Sequence, residues 1–84
     1  MTPLEFATAL IAYCYATTGS VTSWGRTPTH NRRVGGVPHS KHQIWLGADI
    51  VYDERPPLAT ARRRATVLGI KLLRESDHDH LQAL

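Results

Sequence analysis

Gly47-Ala48-Asp49-Ile50-Val51-Tyr52-Asp53, just past the middle of an 84-residue chain, has the make-up of a buried strand. Ile50 and Val51 are β-branched and Tyr52 is aromatic, side chains that suit a pleated, packed surface. Asp49 stands near the start of that strand, where a carboxylate needs a partner. Downstream, Pro56 and Pro57 open a helix in which Leu58, Ala61, Ala65 and Leu68 line one face, Arg62, Arg63 and Arg64 cover another, and Gly69 ends it. Residues 70–73 and 77–82 follow as two short strands joined by a turn at Arg74-Glu75-Ser76.

Upstream, Thr2-Pro3-Leu4-Glu5 forms a capping box with proline at the first helical position. Leu4, Ala7, Ile11, Cys14 and Tyr15 then recur on one helical face, and Gly19 closes the helix. Residues 21–23 read as a short strand. The next twenty residues carry Gly25, Pro28, Asn31, Gly35, Gly36 and Pro38, too many breaks for regular structure, and are expected to form a long functional loop. This order predicts an α+β fold, a small, mainly antiparallel sheet with two flanking helices, with residues 1–84 as one domain.

Composition narrows the function classes. With 42% hydrophobic and 20% charged residues the chain is too apolar for disorder, yet so short that a staple such as a bound metal would help it. That staple is not an internal disulfide, because Cys14 is the lone cysteine. Residues 9–16 are apolar enough for a signal-peptide core, but Glu5 and no Lys or Arg precede them, so they are read as mature helix. No run reaches the roughly 20 apolar residues of a membrane span, and no membrane partner is expected. A cytoplasmic origin follows, with any action outside requiring release or export by another route. The net charge of +3 favours an anionic partner without demanding one.

Histidine is more telling. Of five, four crowd into His39, His42, His78 and His80. A hydrolytic zinc site needs imidazole and carboxylate ligands, a coordination position left for water, and an acid or base to move its proton. His42 lies in the loop before the strand bearing Asp49, and His78 and His80, two apart on a strand, share a side.

These residues resemble a known family. Ser40-Lys41-His42 followed by Gly47-Ala48-Asp49 is similar to the Ser-x-His…Asp signature of M15-type zinc D-Ala-D-Ala carboxypeptidases and L-alanyl-D-glutamate endopeptidases, relatives of the hedgehog signalling domain, and the His-to-Asp separation of seven matches. Thr22 to Pro28 and His30 to Val37 resemble the family's strand, its arginine and its Asn-x-x-x-Gly-Gly loop, and Asp77-His78-Asp79-His80 resembles its closing Asp-His-x-His segment. The resemblance, over about residues 20–82, implies a hedgehog/DD-peptidase-like fold, a Zn²⁺ cofactor held by His42, Asp49 and His80, and a peptidoglycan stem peptide as substrate. It implies Asp77 as general base, His78 as oxyanion stabiliser or orienting group, and Arg26 and Ser40 as substrate-binding residues. The family commonly has glycine three residues after the first ligand and alanine five after it. Trp45 and Gly47 stand there instead, so the turn over 43–46 is expected to be drawn differently.

Several readings stay open. Glu75 competes with Asp77 for the base. Trp24 and Trp45 wall a substrate groove or belong to the core. Asp79 is read as a solvated strand residue, Cys14 as a small core-facing hydrophobe, and Gly35 and Gly36 as backbone devices. Arg62, Arg63 and Arg64 form the wet face of a helix or grip an anionic polymer. A monomeric, endolysin-like zinc peptidase is the leading function. A catalytically silent zinc module of the same fold and a small basic nucleic-acid binder compete with it, and the His/Asp spacing argues against the last.

Overall fold

The computed structural model describes residues 1–25, 28–36 and 45–84. The capping box forms as expected at the head of α1 (Pro3–Thr17): Thr2 Oγ1 accepts the Glu5 amide at 3.2 Å and Glu5 Oε1 accepts the Thr2 amide at 2.8 Å. Left-handed Thr18 ends the helix and turns the chain into β1 (Gly19–Trp24). After α2 (Pro28–Arg33) come β2 (Gly47–Tyr52), α3 (Leu58–Val67), β3 (Ile70–Arg74) and β4 (Asp79–Ala83). No helix among the described residues is long and apolar enough to cross a membrane.

The strands lie in the order β1-β2-β4-β3 and every neighbouring pair is antiparallel, so the α+β architecture agrees with the sequence reading. Facing residues of an antiparallel pair share a side of the sheet. Ala48 opposite Leu81, Leu72 opposite Leu81, Ile70 opposite Ala83 and Ile50 opposite Asp79 therefore define one face, and all seven side chains are buried. α1 packs on that face over β1 and β4, and α3 packs over β3. The other face carries Asp49, His80 and Gln82.

Two expectations fail. The periodicity puts the apolar stripe of α1 on Leu4, Ala7, Ile11, Cys14 and Tyr15, whereas Leu4 is 77% and Tyr15 93% exposed, with Ile11 also open, and Phe6, Leu10 and Tyr13 fill the core. Apolar residues run nearly all round this helix, so its periodicity fits either side, and tertiary packing selects the larger set. Each of the three buried side chains contributes about 1.5–3 kcal/mol. The segment after β1 is also not loop throughout. Pro28 and Gly35 are far enough apart for α2, which continues through Val34 N–H to His30 O at 3.1 Å and ends where Gly35 takes a positive φ of 73°.

Asp79 is a third correction, because it is 0% exposed rather than solvated. Alternation explains this. If His78 and His80 look outward, Asp79 between them must point under the helices. Its carboxylate accepts Arg74 Nε at 2.9 Å and Arg74 Nη2 at 2.8 Å, Arg55 Nη2 at 3.0 Å and the Tyr52 hydroxyl at 2.7 Å. Since Tyr52 spends its proton on Asp79, the Tyr13 hydroxyl 2.7 Å away donates to Tyr52 in turn. Burial pushes the Asp79 carboxyl up, and the bonds from Arg74, Tyr52 and Arg55 outweigh it, holding the group ionised below the usual carboxylate range. Burial and its hydrogen bonds with Tyr13 and Asp79 push the Tyr52 phenol up.

Candidate active site

Asp49 and His80 stand side by side because β2 and β4 pair with these two residues in register. Asp49 Oδ1 lies 3.0 Å from His80 Nδ1. His78, just before β4, brings its Nε2 to 3.8 Å from the same carboxylate oxygen. Asp77 completes the group from the turn, accepting the His78 Nδ1 proton at 2.8 Å. All three inner groups are partly shielded, whereas the Asp77 side chain is 87% exposed. The bond from His78 lowers the Asp77 pKa, so this carboxylate is ionised at neutral pH with an imidazole engaged on one oxygen.

The backbone supports this placement from both sides. A bulge between Val21 and Ser23 in β1 sets Ser23 opposite Asp49, and Thr22 Oγ1 donates to the Asp49 carbonyl at 3.3 Å. Bulges commonly re-aim side chains at the rims of sites. On the other flank, His80 Nε2 lies 3.0 Å from Gln82 Oε1. A neutral imidazole between two acceptors has one proton to give; when Nε2–H donates to Gln82, the Nδ1 lone pair is left facing Asp49. Gln82 is not among the residues singled out in the sequence, although the two-residue step that joins His78 to His80 continues to it.

Trp45 enters at the mouth of β2. Its ring stands edge-on to Trp24, centroids 5.3 Å apart at 71°, and Trp24 Nε1–H donates to the Trp45 carbonyl at 3.4 Å. Trp24 in turn meets Phe6 of α1, so the pair joins core to surface rather than belonging wholly to either. Trp45 has φ 61°, the left-handed backbone that favours glycine. Residues 43 and 44 of the turn expected to be drawn differently lie outside the described residues; at Trp45 the ring covers Gly25. Gly25 is itself at φ 62°, where a Cβ would meet that ring at 2.2 Å.

Arg26, Ser40 and His42 lie outside the described residues, so the structure brings together Asp49, Asp77, His78 and His80 of the seven positions singled out in the sequence. Glu75 is exposed in the turn, where its amide donates to the His78 carbonyl at 2.9 Å. Among the described residues no three His, Cys, Asp or Glu side chains are arranged to hold a metal ion. A carboxylate oxygen and an imidazole nitrogen at 3.0 Å are nevertheless the donor types and spacing of two neighbouring ligands on a small divalent cation, so the pair fits such an ion when a third ligand joins it. Cys14 is half-buried against the core, and burial pushes its thiol up, which keeps it a poor nucleophile.

No curated protein and no solved structure matches the chain. The family model described as Peptidase M15 does, over residues 10–82. That span takes in the second half of α1, β2, β4 as far as Gln82 and the whole of the Asp49, Asp77, His78 and His80 group, and the chain belongs to the Peptidase M15 family.

Proposed function

We propose that this chain is a zinc-dependent metallopeptidase that hydrolyses an amide bond in peptidoglycan stem peptides, as an endolysin-like D-Ala-D-Ala carboxypeptidase or L-Ala-D-Glu endopeptidase. Membership of a peptidase family supports the reaction class. The observation that carries the reading is the register pair Asp49 and His80, with the Asp77–His78 pair set against it on the open face of the sheet. In this reading His42, Asp49 and His80 hold Zn²⁺, with Gln82 fixing the His80 tautomer. Zn²⁺ bound there supplies Lewis acidity, polarising a carbonyl and lowering the pKa of water.

The chain's own residues do the rest. Asp77 takes a proton from the attacking water and returns it to the leaving amine nitrogen. His78 stabilises the oxyanion, and Arg26 and Ser40 bind the substrate, the arginine by a forked pairing with a carboxylate. A second reading is favoured by one distance: His78 Nδ1–H is committed to Asp77 at 2.8 Å, which leaves the Nε2 lone pair facing the site. His78 is then the proton carrier and Asp77 its orienting acid.

Incubation with purified peptidoglycan, read by mass spectrometry of released fragments, tests the function. Cleavage should stop after chelation and return with Zn²⁺; cleavage that survives complete metal removal refutes the zinc mechanism, and stoichiometric Zn²⁺ without any cleavage favours a silent binding module. Asp77→Asn with metal content unchanged should lose about 100-fold or more in kcat. An equal loss in His78→Gln with a milder one in Asp77→Asn assigns the proton to His78.

A further inference from the structure

One side chain outside the site reaches its turn from below. Arg55, three residues after β2, donates through Nη1 to the Ser76 carbonyl at 3.0 Å and through Nη2 to the His78 carbonyl at 2.9 Å, to the Glu75 carbonyl and to Asp79 Oδ1 at 3.0 Å. The connection is returned from the other side, because Arg74 Nη2 donates to the Pro56 carbonyl at 2.9 Å while Arg74 also holds Asp79. Two arginines from two segments thus converge on one buried carboxylate. Across the turn itself the backbone adds the Glu75 amide bonded to the His78 carbonyl. Asp77 and His78 are the residues this turn carries.

We infer that Arg55 is a positioning residue: by gripping the Glu75, Ser76 and His78 carbonyls of the 75–78 turn and the carboxylate below it, it fixes the Asp77–His78 pair against Asp49. The inference rests on the peptidase reading for its catalytic meaning, and on geometry alone for the ordering of the turn. A planar guanidinium is needed because its donors splay in fixed directions, which lets one group serve four acceptors. Lysine offers a point charge that keeps the attraction to Asp79 and cannot reach all the carbonyls together. Asp49 and His80 are set by strand register and do not depend on Arg55.

Arg55→Lys and Arg55→Ala, compared with the wild-type chain, separate positioning from plain stability. The readouts are thermal unfolding, uptake of Zn²⁺ alone, hydrogen exchange of the Glu75 amide, and kcat and KM on a muropeptide. Arg55→Lys should melt close to wild type and take up Zn²⁺ equally well, yet exchange the Glu75 amide about tenfold faster. Its kcat should fall about 100-fold with little change in KM, since a displacement near 1 Å is enough for that loss. Arg55→Ala should show the same pattern at a lower melting temperature. A folded Arg55→Lys with wild-type exchange and wild-type kcat overturns the inference, as does one whose defect is lost Zn²⁺ uptake. If the wild-type chain cleaves no muropeptide, the peptidase reading fails by itself, and Glu75 exchange indifferent to Arg55 overturns the ordering of the turn.

Discussion

Asp79→Asn is the substitution that most directly questions the internal architecture. The change keeps the shape of the side chain and removes its charge from a site with no solvent access. Three of the four hydrogen bonds it accepts come from guanidinium groups, and an asparagine amide turned toward Arg74 sets donor against donor. Removing one partner of a buried ion pair costs about 3–5 kcal/mol, because the remaining charge is stranded. The side chain of Arg55 is 35% exposed and can return to water, whereas that of Arg74 is 21% exposed and cannot do so fully, so the lower end of that range applies.

A loss of about 3 kcal/mol is a large share of the roughly 4–13 kcal/mol that a chain of this length has in total. It corresponds to a fall of about 12–24 °C in Tm. Circular dichroism melts give the number directly, and urea unfolding shows whether the slope, and hence the denatured state, is unchanged. A Tm within about 4 °C of wild type would mean that Asp79 is hydrated and that the reasoning is wrong. Arg74→Gln should cost a similar amount, and the double variant much less than the sum, because the two residues share one interaction.

Gly25→Ala tests the tryptophan pair: the added methyl is strained at positive φ and collides with the Trp45 ring, so a loss of about 1–3 kcal/mol is expected. Both tryptophans of the chain belong to this pair, so its separation should also change the intrinsic fluorescence, and an unchanged spectrum refutes the contact. Glu5→Gln probes the capping box. The Thr2 amide holds the Glu5 carboxyl below its ordinary pKa, so its contribution is present above the unfolded value and disappears as the pH falls through the folded one. The melting difference between wild type and Glu5→Gln should therefore be largest near neutral pH, begin to shrink at about pH 4, the region of a free glutamate, and close only below the lowered folded value. A difference that stays the same from about pH 7 down to about pH 2 means that charge is not the cause.

The legible parts of the fold are those in which one short-range rule had no competitor. Thr2 and Glu5 cap a helix because Glu5 stands three places after Thr2, and residues 47–52 make a strand because β-branched and aromatic side chains have few other uses in succession. His78 and His80 share a face by alternation alone. The same rule would have buried Asp79, but its partners Arg55, Arg74 and Tyr52 come from three separate segments, and nothing local marks them as neighbours. The phase of α1 was illegible for a different reason, since Leu4, Ile11 and Tyr15 make as good a stripe as Phe6, Leu10 and Tyr13 until a sheet chooses between them. Gln82 and Thr22 are ordinary polar residues in the sequence, and only the register of β4 and the bulge in β1 bring them to the site.

Asp49 and His80 come from parts of the chain 31 residues apart, yet neither waits for an ion to meet the other. Hydrogen bonds between β2 and β4 have already brought them together. On the proposed reading, an ion held there would find two of its anchors at a spacing that the sheet dictates, so a slip in the pairing of β2 with β4 would retune its affinity without touching either side chain.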